Sequence, residues 1–167
     1  MRAAFCQKCG SPLMEQERDG YLRQVCSSEE CGQVFWNNPV PVVAGIIEYD
    51  GNIILIQNVG WPKEWYGLVT GYLEKGETPE QGMLRELKEE LWLEGTIGGF
   101  VGNYSFFEKN ELIIAFHVVA TGEINMGDEL ADYKIIPIDK VKPWPFATGI
   151  ALKDWLERRK AGIANTE

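Results

Sequence analysis

Apolar and polar positions alternate along this 167-residue chain in patterns that predict a mixed α/β domain. Runs rich in β-branched and aliphatic residues predict strands at residues 41–49, 53–57, 100–107, 112–120 and 133–138. Asp50-Gly51-Asn52 suits a hairpin turn between the first two runs, and Glu108-Lys109-Asn110 a second one. Residues 149–160 carry apolar side chains at helical spacing and predict a closing helix. Mixed strands with helices on either side favour an α/β/α sandwich.

A further helix is predicted to begin at Pro79. Thr78 is a suitable N-cap, and Gln81 completes a capping box three residues later. The helix has an apolar stripe that is expected to face the sheet, formed by Leu84, Leu87 and Leu91.

Three carboxylates of this helix, Glu86, Glu89 and Glu90, fall on one arc of its surface because residues three and four apart are neighbours. Carboxylates held that close repel each other. A hard cation such as Mg²⁺ placed between them attracts each carboxylate and so makes the cluster favourable. Gly71 and Gly76 are expected in a loop before the helix, where backbone carbonyls can approach a cation. The segment therefore predicts a metal-phosphate site. The alternative is a solvated acidic helix face.

Residues 71–93 resemble the Nudix box, whose pattern is G-x5-E-x7-R-E-U-x-E-E-x-G-U with U a bulky aliphatic residue. The positions that match are Gly71, Glu77, Arg85, Glu86, Leu87, Glu89, Glu90 and Leu93. Trp92 stands where the family has its last glycine, and a positive φ there would cost a tryptophan about 1–2 kcal/mol. We therefore expect Gly95, three residues on, to form the turn. The resemblance also implies the α/β/α sandwich, with a mixed sheet.

All four cysteines lie within the first 31 residues, as Cys6-x2-Cys9 and Cys26-x4-Cys31. Two short pairs separated by a hairpin-length segment are typical of a structural Zn²⁺ held by four thiolates. A redox motif or two disulfides are the alternatives, but a redox motif needs one pair and disulfides need an oxidising compartment. The four cysteines predict a small zinc ribbon at residues 1–35, followed by the main domain at residues 36–167.

Composition and charge limit the kinds of molecule that this protein is expected to bind. The net charge of −9 argues against general nucleic-acid binding, and residues 1–35 hold four basic against five acidic side chains. No apolar run approaches the length of a membrane helix and no signal peptide is visible, so a cytoplasmic protein with no membrane partner is expected. A small anionic nucleotide remains possible, because bound metal would supply positive charge.

A four-cysteine ribbon before a Nudix box resembles the NADH pyrophosphatase branch of the family. That resemblance implies a substrate contact for Trp36, a further metal ligand at Glu129, a pocket-lining position for Ala151 and a possible homodimer. Packing at the domain junction is the alternative for Trp36. Members that hydrolyse NADH carry Ser-Gln-Pro-Trp-Pro-Phe soon after the box, whereas this chain has Pro143-Trp-Pro-Phe146 much later, which we interpret as a turn that packs the last helix.

The implied activity is Mg²⁺- or Mn²⁺-dependent hydrolysis of a diphosphate linkage in an ADP-ribose-like or NADH-like compound. Glu86 and Glu90 are expected to be the principal ligands, with Glu89 binding through water or a second ion, and with the carbonyl of Thr70 or Gly71 completing the shell.

The other residues of the site are given supporting roles. Arg85 is expected to pair with Glu77 in a structural role. Glu89 and Glu129 are the candidate bases, ahead of Glu111, and His117 is expected to be a satisfied strand residue. The rival hypothesis is a Nudix-fold module that binds nucleotide without turnover.

Overall fold

A computed structural model describes residues 4–162 and divides the chain into two compact units, Met1–Asn38 and Pro39–Glu167. The division lies three residues after the boundary expected at 35/36. None of the helices among the described residues is long and apolar enough to cross a membrane.

The first unit is a small antiparallel sheet. Its strands are β1 (Leu13–Arg18), β2 (Tyr21–Cys26) and β3 (Val34–Phe35), in the order β1-β2-β3. Asp19-Gly20, both with positive φ, form the two-residue turn between β1 and β2. This unit buries few apolar side chains, since its buried residues among those described are Cys6, Val25 and Cys26.

The second unit contains a six-stranded mixed sheet and two helices. The elements are β4 (Val40–Tyr49), β5 (Asn52–Asn58), β6 (Val69–Tyr72), α1 (Pro79–Leu91), β7 (Glu94–Phe106), β8 (Glu111–Thr121), β9 (Leu130–Pro137) and α2 (Thr148–Lys160). The strand order is β7-β8-β4-β5-β9, with β6 paired to β4. The β4–β8 pairing is parallel and the others are antiparallel. The mixed α+β sandwich expected from the sequence is confirmed.

One helix covers each face of this sheet. Because both faces are buried, β4 and β5 are almost continuously apolar rather than alternating. On the α1 face, Val43, Ile47 and Phe116 pack with Met83 and Leu87. The other face packs against α2 with a cluster that includes Val42, Ala44, Ile46, Leu152, Trp155 and Leu156.

The start of α1 follows the predicted chemistry, but its end does not. Thr78 accepts from the Gln81 amide, the Gln81 side chain accepts from the Thr78 amide, and Pro79 occupies the first turn. At the other end Trp92, not Gly95, adopts the left-handed conformation, with φ 59° and ψ 17°. The expectation for Gly95 was wrong because β7 begins at once: a Cβ on Gly95 would lie 2.6 Å from Leu87 Cδ2. Gly95 therefore serves the close packing of strand on helix.

Candidate functional site

A cleft of about 670 Å³ in the second unit, here called the acidic cleft, gathers most of the predicted site residues. It is lined by Thr70 and Gly71 of β6, by carboxylates of α1 and by the loop before β9. The acidic residues along it are Glu74, Glu86, Glu89, Glu90, Glu111, Asp128 and Glu129. The predicted cluster of Glu86, Glu89, Glu90 and Glu129 thus faces one shared space.

Glu90 is the most unusual member of this cleft. The residue is only 5% exposed, and its Oε2 atom has no hydrogen-bond partner among the described residues. The pKa of its carboxyl is raised to about 8, first by burial and then by the nearby carboxylates of Glu86, Glu129 and Glu89 in that order. A buried, unpartnered carboxylate among like charges is unfavourable unless a proton or a cation joins it.

The donor set fits a hard divalent cation. Mg²⁺ prefers carboxylate oxygens, and it would supply the partner that Glu90 Oε2 lacks among the described residues. Glu90 supplies the orphaned oxygen, Glu86 and Glu129 supply further carboxylates, and Thr70 and Gly71 bring backbone to the same cleft.

Gly71 allows the β6 backbone to lie against Glu86. A Cβ at this position would fall 1.9 Å from the Glu86 carboxylate, so no other residue fits without moving the glutamate. The sequence placed Gly71 in a loop, and the structure corrects this: Gly71 lies in β6 and pairs with Val43 of β4. Gly76, with φ 96°, is the glycine in the loop before α1.

Arg85 organises the loop before α1 around the cleft. Its guanidinium makes a bidentate pair with Glu77, with Nε–Oε2 3.0 Å and Nη2–Oε1 2.8 Å. Nη1 also donates to Glu86 at 2.7 Å and Glu89 at 3.0 Å, and Nη2 to the Tyr72 carbonyl at 3.0 Å.

These contacts fix the charge states of the group. The Arg85 hydrogen bonds, together with the Glu74 amide, lower the pKa of Glu77 to about 2, and Glu77 in turn raises the pKa of Arg85. Burial raises the pKa of Glu86, with Arg85 opposing it. The Arg85–Glu77 pair therefore stays ionic and holds the loop before α1 to the helix.

Glu129 reaches the cleft because its loop caps the end of α1. The amides of Asn125 and Gly127 donate to the carbonyls of Leu91 and Glu90 at 3.0 and 2.8 Å, which satisfies carbonyls that a helix end leaves free. A Cβ on Gly127 would lie 2.4 Å from the Glu89 carbonyl, so glycine is required for this approach.

Two predicted residues of the second unit occupy other environments. Ala151 is a fully buried residue of α2 that packs in the cluster on that face of the sheet and lines neither of the clefts described here, and its pocket-lining role stays a prediction. His117 is buried on β8, with Nε2 2.9 Å from Glu48 Oε2 and its ring 5.0 Å from that of Trp155. Burial lowers the pKa of His117 despite the Glu48 contact.

Trp36 belongs to the first unit and is 48% exposed. The Arg23 guanidinium lies 5.6 Å from its ring centroid and 4.9 Å from that of Tyr21, and Arg23 donates to the Trp36 carbonyl. Its contact with a substrate stays a prediction.

A second cleft of about 520 Å³, here called the aromatic cleft, was not foreseen from the sequence. It is lined by Trp61, Trp65, Tyr66, Phe106, Trp144 and Phe146, together with Lys109 and Glu111. The buried Gln57 holds the loop after β5 in place, because its Nε2 donates to the carbonyls of Pro62 at 2.9 Å and Trp65 at 3.2 Å. The sequence shows the aromatic residues of this cleft as two separate segments, the loop at 58–67 and Pro143–Phe146. Only the fold brings the two segments together.

The four cysteines of the first unit form a compact cluster. Their sulfur atoms all lie within 4.8 Å of one another, with Cys6–Cys31 at 3.8 Å and Cys9–Cys26 at 3.4 Å. Four thiolates around a tetrahedral Zn²⁺ with Zn–S of about 2.3 Å have sulfurs about 3.8 Å apart. The cluster therefore fits zinc, and no disulfide joins these residues.

Known proteins resemble this chain along most of its length. It is 26% identical over 164 residues to the NAD-capped RNA hydrolase NudC of Pseudomonas aeruginosa, an alignment that covers 96% of this chain and 58% of that protein. The chain thus spans less than two thirds of that relative. It is also 29% identical over 126 residues to the ADP-ribose pyrophosphatase of Methanocaldococcus jannaschii, covering 71% of this chain and 74% of that one.

The fold has a solved counterpart in a NUDIX hydrolase from Nitrosomonas europaea. The TM-score is 0.80 at 22% identity, and the match covers 99% of this chain and 97% of that one. The NUDIX domain family model matches residues 39–156, which include the whole acidic cleft. On this match, and with Gly71, Glu86, Glu89 and Glu90 of the box lining one cleft, the chain belongs to the NUDIX domain family.

Proposed function

We propose that this protein is a pyrophosphohydrolase that uses Mg²⁺ or Mn²⁺ to cleave a diphosphate linkage in a nucleoside diphosphate derivative. The observation that carries the proposal is the buried, unpartnered Glu90 oxygen in a cleft that is also lined by Glu86, Glu89 and Glu129. A purely structural acidic helix face would be solvated, whereas this one turns its most buried carboxylate into a cleft.

The metal would be held by Glu86 and Glu90, with Glu89 as a further ligand and a backbone carbonyl from Thr70 or Gly71. Glu129 would be either a further ligand or the base. When bound, it supplies positive charge for the phosphate oxygens and lowers the pKa of a bound water. Arg85 keeps the loop before α1 fixed through Glu77, which leaves the α1 carboxylates aimed at the cleft.

Two residues are candidates for the base that takes the proton of the attacking water. Glu89 forms an ion pair with Arg85, with Nη1–Oε2 3.0 Å, so its carboxylate is already held by a cation. Glu129 makes no ion pair with other described residues. The comparison favours Glu129 for proton transfer and Glu89 for metal binding.

The substrate class is a nucleotide with an internal diphosphate. Two of the relatives are named for NAD-capped RNA and for ADP-ribose, and both of those compounds contain such a linkage. The aromatic cleft beside the acidic one supports a substrate that carries a planar base. The Ser-Gln-Pro-Trp-Pro-Phe string of NADH hydrolysing members is absent after the box, which favours ADP-ribose-like compounds over NADH.

The test is a substrate panel with identified products. Wild-type protein is incubated with Mg²⁺ or Mn²⁺ and ADP-ribose, NADH, NAD-capped RNA, FAD, a dinucleoside polyphosphate or a nucleoside triphosphate. Chromatography then identifies the nucleoside monophosphate and its partner product. We expect metal-dependent release of AMP from ADP-ribose and no release in excess chelator. Binding of ADP-ribose without any turnover in the panel would support the rival hypothesis, a binding module, and overturn this proposal.

The first unit is proposed to bind one structural Zn²⁺ through Cys6, Cys9, Cys26 and Cys31. The support is the sulfur cluster described above. In this proposal zinc has no part in the chemistry and acts as folding energy for a unit with little apolar core.

A further inference from the structure

The acidic and aromatic clefts adjoin each other. Five residues line both of them, namely Val42, Trp61, Thr70, Lys109 and Glu111. A ligand with a diphosphate in the acidic cleft and a planar ring in the aromatic cleft therefore has to pass these residues. The groups at this junction decide how the intervening phosphate is held.

The acidic cleft is poor in positive charge for a site that takes an anion. Seven carboxylates line it, and Lys109 is the single cation among the described residues that do so. Arg85 lies nearby, but its guanidinium is already bonded to Glu77, Glu86, Glu89 and the Tyr72 carbonyl. A metal ion covers only the phosphate oxygens that it contacts, so an oxygen turned toward the junction needs another partner.

Lys109 is available for that role. Its ammonium forms no ion pair with other described residues and lies 6.0 Å from the Phe106 ring centroid. The turn that carries it is anchored at both ends. The Lys109 amide donates to the Phe106 carbonyl at 3.3 Å, and the Asn110 carbonyl accepts from Val40 of β4 at 2.9 Å. A fixed backbone with a free ammonium suits a ligand-binding lysine.

We propose that Lys109 binds a non-bridging phosphate oxygen of the substrate on the side of the nucleoside, at the junction of the two clefts. This inference rests on the proposed function. It makes Lys109 a residue that holds substrate and selects for a phosphate next to the base, with no part in moving a proton.

The experiment measures binding rather than turnover. Isothermal titration in Mg²⁺ gives the Kd of ADP and of adenosine, which carries the same base and no phosphate. The variants are Lys109→Gln, Lys109→Arg and, as the matched control, Lys140→Gln, which changes an exposed lysine that lines neither cleft. Circular dichroism melts check that each variant is folded.

We expect Lys109→Gln to weaken ADP binding roughly three- to tenfold, the range for an exposed charge-assisted contact. Adenosine binding stays unchanged, Lys109→Arg recovers most of the loss, and Lys140→Gln binds ADP like the wild type. At about 1 M salt, where the Debye length is about 3 Å, the difference between Lys109→Gln and wild type shrinks.

Two outcomes overturn the inference without touching the proposed function. One is an equal ADP affinity in wild type and Lys109→Gln, and the other is a parallel loss of adenosine affinity, which would mean that the lysine shapes the base site. A wild type that does not bind ADP at all also overturns it. Conversely, a wild type that binds ADP through Lys109 but hydrolyses nothing in the panel overturns the hydrolase proposal alone.

Discussion

Different interactions stabilise the two units of this protein. In the first unit the buried residues among those described are Cys6, Val25 and Cys26, and four sulfurs gather within 4.8 Å. In the second unit two apolar clusters, one on each face of the sheet, are built from residues between Val42 and Leu156. The small core of the first unit cannot by itself offset the conformational entropy lost on folding. In the second unit, the two apolar clusters bury enough surface to drive folding.

The same difference separates the two candidate metal sites. The sulfur cluster includes two of the three buried residues described in its unit, so a metal there is expected to contribute folding energy. The carboxylates of the second unit lie in a cleft outside both apolar clusters, so a metal there is expected to serve chemistry. Removing metal should unfold the first unit and silence the second without unfolding it.

The largest expected effect is on turnover. Glu90→Gln keeps the side-chain volume and removes a ligand charge, so we expect the rate to fall by several powers of ten. Because Glu90 lies outside the apolar clusters, the melting temperature should not fall. Glu80→Gln, an exposed change in the first turn of the same helix, is the control and should keep wild-type kinetics. Near-normal turnover of Glu90→Gln at saturating Mg²⁺ would remove Glu90 from the metal site.

Loss of zinc should have the next largest effect, confined to the first unit. We expect about one zinc per chain, and amide hydrogen exchange after chelation should rise across residues 4–35 while the sheet of the second unit stays protected. Cys9→Ser should reproduce this, and Ser27→Ala beside the cluster should not. Zinc-free protein with four reactive thiols and an unchanged exchange pattern would contradict the structural role.

Trp36→Ala tests whether the first unit contributes to substrate binding. If the ring stacks on a base, KM should rise roughly 5- to 150-fold with kcat largely spared, since base stacking is worth about 1–3 kcal/mol. Tyr21→Ala is the control, because it removes the other ring that contacts Arg23. A lower melting temperature with unchanged KM would assign Trp36 to packing.

The smallest expected effect is a gain in stability at Trp92. This residue has φ 59° and is 57% exposed, so Trp92→Gly relieves strain and loses little packing. Glycine also has more freedom to lose on folding. We expect a net gain of about 1 kcal/mol, or roughly 2–4 °C in the melting temperature of the second unit.

Gly95→Ala is the opposing test and should destabilise the second unit, because the added Cβ would meet Leu87. A fall in stability for Trp92→Gly would show that the tryptophan ring contributes more than its backbone costs.

Local chemistry made much of this protein predictable from its sequence. The start of α1 follows from Thr78, Pro79 and Gln81, whose interactions span only three residues. The hairpin between β4 and β5 follows from Asp50-Gly51, both with positive φ in the structure. The approach of Glu86, Glu89 and Glu90 follows from helical spacing alone.

The tertiary structure decided the features that depend on distant neighbours. It put the left-handed turn at Trp92 and kept Gly95 for packing against Leu87, a choice set by where β7 lies on α1. It also placed Ala151 of α2 in the buried cluster between that helix and the sheet.

The junction of the two clefts depends on strand pairing. The parallel pairing of β4 and β8 sets Val40 beside Glu111, and the turn before β8 thereby brings Lys109 to the same groove as Glu86. Residue spacing determines what lies on one helix or one turn, because those contacts close within a few residues. The contacts between distant turns and helices depend on how both apolar faces of the sheet are buried. No local sequence pattern encodes those long-range contacts.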